Sequence, residues 1–182
     1  AAAVRPFWQI GGDLSAKEGW RIAVSMLYGL TKSKDETLRR VQELELCTEQ
    51  EAKVIMNLYD RKMNAVISTS AGRLFDAVSA ILGICRKSTF EGHASTALQF
   101  AAEEFRKNNE TAIPVTEQDM SVKYDENEQN RPVMPTEIIV ETISREMTQG
   151  TDRNKLAYYF HDALAWQIVS ACKAVREMSG HR

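Results

Sequence analysis

The chain has 182 residues, 43% of them hydrophobic and 26% charged, with a formal net charge of −2 at pH 7. This composition is typical of a water-soluble globular protein, and it leaves no basic stripe for nucleic acid and no apolar run long enough to span a bilayer. The first residues also lack the pattern of a secretion signal. We therefore expect one domain, or two small subdomains, that binds neither nucleic acid nor membrane.

Three cysteines, Cys47, Cys85 and Cys172, are widely separated. An odd number without close spacing favours neither a disulfide framework nor a zinc site, and it indicates a reducing, cytoplasmic location. Cys85 and Cys172 lie in apolar helical patterns. We therefore expect both thiols to be buried packing residues rather than catalytic groups.

Residues 16–66 are predicted to form a small helical bundle. Ser33 with Glu36, and Thr48 with Glu51, have the spacing of capping boxes that begin its second and third helices. The apolar positions fall on one stripe of each helix. They are Trp20, Ile22, Ala23, Met26, Leu27 and Leu30 in the first helix (Ala16 to Leu30), Leu38, Val41 and Leu44 in the second, and Ala52, Ile55, Met56 and Tyr59 in the third.

Residues 68–107 are predicted to hold two helices. The first runs from about Arg73 to Leu82 and is closed by Gly83, and the second runs from His93 to about Lys107. Between residues 108 and 135 the chain contains three of its four prolines and a polar run, so we expect an irregular loop.

Within that loop, Ile113–Val115 and Met120–Tyr124 could pair as a β-hairpin. Residues 136–178 are predicted to form two C-terminal helices, the first from Thr136 to about Thr148. The last runs from about Asp152 to Met178 and ends at Gly180. Its expected apolar face is Leu156, Tyr159, Phe160, Leu164, Ile168, Val169 and Cys172. The fold is therefore predicted to be mainly α, with about seven helices and little sheet.

Two glycine-containing clusters are candidate ligand sites. In Gly11-Gly12-Asp13 the glycine pair would let the backbone approach a ligand at a helix N-terminus, where phosphate binds well. The simpler alternative, which we favour from this pattern alone, is a turn in which Asp13 or Ser15 caps the helix.

The second cluster, Ser68 to Asp76, places small hydroxyl residues and Gly72 at a helix start, where backbone amides can form an anion-binding nest. Asp76 lies one turn inside an apolar helix, and its carboxylate needs a partner such as a ribose hydroxyl, Arg73 or a capping amide. The simpler alternative is an N-terminal cap with a helix-dipole aspartate.

The histidines predict no catalytic centre or metal site on their own. His93, in Phe90-Glu91-Gly92-His93, has no second ligand at helical spacing, and with Cys85 it cannot supply the four ligands of structural zinc. His161, in Phe160-His161-Asp162, is an isolated histidine on an amphipathic helix, where a structural hydrogen bond is the commoner role. No nucleophile, base and carboxylate set can be assembled.

The same clusters, in the same order, resemble the Kae1-like part of HypF-type carbamoyltransferases, the enzymes that start nickel–iron hydrogenase maturation. Residues 11–21 resemble the family's GGDxAxxEPWR element, and residues 69–83 match its TSSxGRLFDAVAALLG signature almost throughout. Residues 90–94 follow as the YEGQA element, and residues 160–165 resemble FHNTLA. The resemblance covers about residues 5 to 178.

The resemblance implies a fold and a reaction. Residues 1–182 would be part of a Kae1-like domain with the actin/hexokinase-type fold, whose main sheets lie outside this helical segment and whose nucleotide lies between two lobes. The family converts carbamoyl phosphate and ATP to carbamoyl adenylate and passes the carbamoyl group to the C-terminal cysteine of HypE. Zinc or another metal belongs to the parent enzyme, and we expect no metal site in this chain.

By the same resemblance, Gly72, Asp76, Glu91 and Gly92 would contact the nucleotide. Gly11, Gly12, Asp13 and His161 would line the cleft. The chain departs from the family pattern at four positions: Gly19 replaces a proline and weakens the first turn of that helix, His93 replaces glutamine, Ala97 replaces glutamate and Asp162 replaces asparagine.

The family's histidine-rich motif and its SGGVFQN element flank this region, so we expect a cut or truncated piece that does not transfer a carbamoyl group alone. An alternative is a stand-alone helical interaction module that has lost the chemistry. In either case we expect exposed apolar surface and therefore homo-oligomers.

Overall fold

The computed structural model describes residues 1–108, 111–125 and 130–180. That part of the chain contains seven α-helices, one 3₁₀ helix and five short strands, which confirms the predicted mainly α fold. The helices are α1 (Gly19–Thr31), α2 (Lys34–Glu43), α3 (Glu49–Arg61), α4 (Ala71–Ile81), α5 (His93–Lys107), α6 (Thr136–Thr148) and α7 (Arg153–Ser179), and the 3₁₀ helix is Gly12–Ala16. The strands are β1 (Ala3–Val4), β2 (Phe7–Ile10), β3 (Ala65–Ser68), β4 (Lys123–Asp125) and β5 (Arg131–Met134).

Side-chain caps fix the starts of α2 and α3. At α3 the predicted capping box is complete, because Thr48 accepts from the Glu51 amide and the Glu51 carboxylate accepts from the Thr48 amide. At α2 only half of the box forms. Ser33 accepts from the Glu36 amide at 3.3 Å, but the Glu36 carboxylate instead binds arginines of its own helix.

The first helix begins later than predicted. The chain from Gly12 to Ala16 is a 3₁₀ helix, and α1 starts at Gly19 with Glu18 as its N-cap residue. The predicted cap by Asp13 or Ser15 is therefore wrong. The Ser15 hydroxyl donates to the Gly12 carbonyl oxygen at 2.5 Å and accepts from the Gln9 amide at 2.7 Å, so it stabilises the turn instead.

The strands form two small sheets, and each sheet pairs strands that are far apart in the sequence. β2 pairs antiparallel with β3, with Phe7 opposite Ser68 and Ile10 opposite Ala65. β5 lies between β1, which is parallel to it, and β4, which is antiparallel. The predicted pairing of Ile113–Val115 with Met120–Tyr124 is wrong, because the partner of β4 is β5. Residues 113–115 are not a strand, and they lead into a turn that Asp119 closes by accepting from the Thr116 amide at 2.8 Å.

The core is organised around α1. This helix packs against α2, α3, α4, α6 and β2, while α7 packs along α5 and α6. Burial of each large apolar side chain contributes about 1.5–3 kcal/mol before conformational entropy is counted. The largest fully buried side chains are Tyr159, Phe160, Ile10, Ile22, Leu27, Ile55, Met56, Leu74, Ile81, Leu82, Leu98 and Ile139.

The predicted apolar face of α7 is correct in its first half and wrong in its second. Ile168 and Val169 are 47% and 42% exposed, and Cys172 is also exposed. The buried stripe of this half consists of Leu164, Gln167, Ala171 and Ala174. Those positions are three or four residues apart, so the neighbouring apolar positions turn away from the core.

The other two cysteines are at least partly buried. Cys85 is buried, as predicted, and Cys47 is half-buried. Burial raises the pKa of the Cys47 thiol to about 12, so it is protonated at neutral pH and is a poor nucleophile. Among the residues that the structure describes, none of the helices combines the length and the hydropathy of a membrane span.

Candidate functional site

The N-terminus of α4 is capped by Ser70. Its hydroxyl accepts from the Arg73 amide at 3.4 Å, and the Ser70 amide donates to Ser68 Oγ at 3.2 Å. Gly72 is exposed, and a Cβ added to it would meet only Ser70 Oγ, at 3.7 Å. The first turn of α4 is therefore open to an approaching group. Ser70 therefore provides the N-terminal cap that the simpler interpretation of this cluster expected.

Asp76 has a buried carboxylate with incomplete hydrogen bonding. Its side chain is 13% exposed, and Oδ2 lies 3.0 Å from Arg73 Nη1 without forming a hydrogen bond with any described residue. Burial raises the pKa of Asp76, and the Arg73 charge opposes that shift only in part. The carboxylate is thus held at an energetic cost at this position, as is common at functional sites.

Arg73 links α4 to the turn before α1. Its Nη1 donates to the Ala16 carbonyl oxygen at 2.7 Å while facing Asp76. A second link is made by the Ser88 amide, which donates to the Lys17 carbonyl oxygen at 2.7 Å. The guanidinium therefore has protein partners on two elements, and its role in this geometry is to position Asp76.

Gly19 permits a close contact between α1 and α4. A Cβ added to Gly19 would lie 2.5 Å from the Asp76 carbonyl oxygen, a distance that real side chains do not adopt. The absence of a side chain, which we expected only to weaken the first turn of α1, has a packing role. This contact could not be predicted from the sequence pattern. The sequence showed only that glycine replaces the family's proline at this position.

The amides of the glycine pair already have partners. Gly11 and Gly12 have φ values of 111° and 57°, and both amides donate to the Asn64 carbonyl oxygen, at 2.9 and 3.3 Å. A Cβ on Gly11 would also lie 3.0 Å from Arg21 Cδ. At Gly11, both the backbone conformation and the close approach therefore favour glycine. Asp13 is exposed in the same turn, and the cleft role of these three residues stays a prediction.

The start of α5 forms a second open turn. Gly92 is the N-cap residue with a φ of 80°, and it is exposed together with Glu91. His93 stacks on Phe90 with ring centroids 4.7 Å apart. The His93 Nδ1 accepts from the Thr89 amide at 3.3 Å and lies 3.7 Å from Cys85 Sγ. Within the described ranges no group of three or more histidine, cysteine or acidic residues could hold a metal ion.

His161 lies behind α4. Its Nδ1 donates to the Ala157 carbonyl oxygen at 2.8 Å, within α7. Its ring packs edge-on against Phe75, the residue before Asp76, with centroids 5.6 Å apart. This geometry suits a residue that supports α4 rather than one that moves a proton.

The structure thus brings together α4, the turn before α1 and His161, and it packs α5 against α4. The clefts of about 260 and 460 Å³ lie elsewhere, between α1, α6 and the segments beside them. Neither is lined by Gly72, Asp76, Glu91 or Gly92. Gly72, Glu91 and Gly92 are exposed, so the starts of α4 and α5 are open to an approaching ligand.

A family model described as "Carbamoyltransferase, Kae1-like Domain, second subdomain" matches residues 1–182. The chain belongs to this family. Relatives include a probable carbamoyltransferase HypF of Methanocaldococcus jannaschii, 26% identical over 173 residues that cover 95% of this chain and 20% of the relative. The HypF of Rhodobacter capsulatus is 38% identical over 104 residues, which cover 56% of this chain and 13% of the relative.

Two solved structures have the same fold as this chain. A crystal structure of full-length HypF in the phosphate- and nucleotide-bound form gives a TM-score of 0.73 at 22% identity, covering 98% of this chain and 21% of that one. The T. kodakarensis HypF structure gives 0.72 at 21% identity, covering 98% and 22%. The chain spans about a fifth of the length of these relatives.

Proposed function

We propose that the chain supplies one wall of the ATP site of a HypF-type carbamoyltransferase, formed by the starts of α4 and α5. The observation that carries the proposal is Asp76, a buried carboxylate whose charge Arg73 compensates in part. A ribose hydroxyl would donate a hydrogen bond to the part of this carboxylate that is exposed. One solved relative, the full-length HypF, was crystallised in a phosphate- and nucleotide-bound form, which supports the same assignment.

The other candidate residues have distinct roles in this proposal. Gly72 adds no side chain to the first turn of α4, so the nucleotide can approach the helix N-terminus. Gly92 and Glu91 would meet it at the start of α5. Arg73 does not bind phosphate in this proposal, because its guanidinium is already used to hold Asp76 against the turn at Ala16.

The whole reaction is proposed from the family. In the complete enzyme, carbamoyl phosphate and ATP would give carbamoyl adenylate, and the carbamoyl group would pass to the C-terminal cysteine of a HypE-like partner in the cytoplasm. The zinc or other metal of the parent enzyme would be held outside this chain. We expect no carbamoyl-phosphate-dependent ATP hydrolysis from this chain alone, and measurable hydrolysis would refute that expectation.

A calorimetric titration with ATP tests the proposed half-site. Asp76→Asn keeps the shape of the side chain but removes its charge, so we expect ATP to bind about tenfold more weakly or not at all. The matched control is Asp35→Asn, an exposed acidic residue of α2, which should leave affinity unchanged. Equal binding by native chain and Asp76→Asn would contradict the role of Asp76.

The alternative, a helical interaction module, is favoured by one observation. The second half of α7 exposes Trp166 and Val169, which are three residues apart and lie on the same side of the helix. The ATP titration separates the two functions, because an interaction module without the chemistry would not bind the nucleotide.

A further inference from the structure

The strand β3 forms one edge of the two-stranded sheet, and β2 is its neighbour on the other side. Val66 and Ile67 are 63% and 59% exposed. Because successive side chains of a strand point to opposite faces, both faces of β3 present an apolar side chain to solvent. Residues 63–70 include no charged residue and no proline, which are the usual means of protecting an exposed edge from pairing with another strand.

The hydrogen-bonding pattern shows which backbone groups of β3 face away from β2. Opposite residues in an antiparallel pair alternate between those that exchange hydrogen bonds and those that do not. The Gly11 amide donates to the Asn64 carbonyl oxygen at 2.9 Å, in the register that places Ile10 opposite Ala65. One residue along the strand, the backbone groups of Ala65 therefore point away from β2, and two residues further those of Ile67 do the same.

The β2 edge of the sheet agrees with this assignment. The Ser25 hydroxyl of α1 donates to the Trp8 carbonyl oxygen at 2.5 Å, and Trp8 lies opposite Ile67. The Trp8 carbonyl group thus points away from β3, as it must in a pair that does not exchange hydrogen bonds. The edge of β2 is covered by α1, whereas within the described part of the chain the backbone groups of Ala65 and Ile67 have no hydrogen-bond partner.

We propose that β3 pairs antiparallel with β3 of a second copy of this chain, around a two-fold axis through Val66. In that register Ala65 lies opposite Ile67 of the second copy and Ile67 lies opposite its Ala65. Each of these pairs exchanges an amide and a carbonyl group in both directions, so every outward-facing backbone group finds a partner. Val66 meets Val66 of the second copy on one face, and each Ile67 side chain packs beside an Ala65 on the other.

A second copy fits this edge because the edge is self-complementary. Ala65 and Ile67 are two residues apart, so one axis satisfies the donors and acceptors of both copies. The nearest charged residue in the sequence, Lys62, falls opposite the uncharged Ser70 of the second copy, so like charges are not paired. Only one short strand of each copy takes part, and the dimer is therefore weak and concentration-dependent.

Charge exchange at the axis tests the register, with all substitutions made in the Trp166→Glu chain so that the exposed face of α7 does not contribute. Val66→Lys and Val66→Glu each place like charges opposite each other, so each variant alone should dimerise at least about tenfold more weakly in sedimentation experiments. An equimolar mixture should recover dimers, because lysine then faces glutamate. The same substitutions at Val54, which is 53% exposed on α3, should have no effect. Dimers that persist in both Val66 variants, or that the mixture does not recover, would overturn the proposal.

Hydrogen exchange of the Trp166→Glu chain tests the pairing without altering β3. The Ala65 and Ile67 amides should exchange fast at low protein concentration and more slowly as the concentration rises. The Val66 amide faces β2 and should exchange slowly throughout. Fast exchange at Ala65 and Ile67 at every concentration would overturn the proposal and leave this edge to a strand of another protein. Neither measurement uses ATP, so its outcome is independent of the proposed nucleotide site.

Discussion

At the scale of single residues, the contact between Gly19 and the Asp76 carbonyl oxygen gives a direct stability prediction. Because a Cβ would lie 2.5 Å from that oxygen, Gly19→Ala must push α1 and α4 apart. We expect the free energy of unfolding to fall by about 1–3 kcal/mol, as measured by urea denaturation.

Gly72→Ala is the matched control for Gly19→Ala. Gly72 is also at a helix start, but an added Cβ there meets nothing closer than 3.7 Å. Replacing it with alanine should leave stability unchanged or raise it by up to about 1 kcal/mol. Equal effects of the two substitutions would show that the close contact at Gly19 does not matter.

Asp76 predicts an unusual pH dependence of stability. Burial raises its folded pKa above the ordinary value of 3.8, so its contribution to stability is fully present below that value and is lost as pH rises through the raised pKa. Asp76→Asn should therefore raise the free energy of unfolding at pH 7. The gain should shrink as pH is lowered toward 3.8, which denaturant titrations at several pH values measure.

Asp60 serves as the control, because its pKa is shifted in the opposite direction to that of Asp76. Hydrogen bonds from Lys34 and Tyr28 hold the pKa of Asp60 below its ordinary value, so its contribution is present above 3.8 and is lost as pH falls through the lowered pKa. Asp60→Asn should lower stability at pH 7. If both substitutions changed stability in the same direction, the assignment of Asp76 as an uncompensated carboxylate would fail.

At the scale of elements, Arg40 joins α2 to α6. Its two terminal nitrogens bind the two oxygens of Glu141 at 2.7 and 2.9 Å, and its side chain is only 17% exposed. Lysine cannot reproduce this paired geometry, so Arg40→Lys should lower the free energy of unfolding by about 1 kcal/mol. Arg39→Lys, at the neighbouring and more exposed arginine, should have no measurable effect in the same denaturation assay.

The helices could be predicted because their signals are local. α5 and α6 have the predicted boundaries, and the cap of α3 is complete within four residues, Thr48 to Glu51. The strands could not be predicted in the same way. β2 and β3 are four residues each and pair across more than fifty residues of intervening chain, so neither carries a recognisable pattern of its own.

The candidate site was predictable only as a set of residues. The family motif indicates Asp76 and Gly72, but the contacts that position them are made by backbone groups, the Ala16 carbonyl oxygen above all. Every residue has a backbone carbonyl group, so the residue type does not indicate which of these groups will bind a side chain.

At the scale of the whole molecule, the exposed face of α7 predicts self-association. Trp166 and Val169 are each more than 40% exposed, and because they are three residues apart they lie on the same side of the helix. We expect dimers or larger species of the 182-residue chain in sedimentation experiments. Trp166→Glu should shift the population toward monomer, whereas Phe100→Glu, at a single exposed phenylalanine of α5, should not. A native chain that stays monomeric at high concentration would rule out this role for the α7 face.

If the starts of α4 and α5 form one wall of a nucleotide site, ATP must perturb the backbone amides there. This is measured by titrating the ¹⁵N-labelled chain with ATP while recording amide chemical shifts. We predict that the changes concentrate at residues 70–76 and 91–93 and largely disappear in Asp76→Asn. Changes confined to other parts of the chain, or no change at saturating ATP, would contradict it.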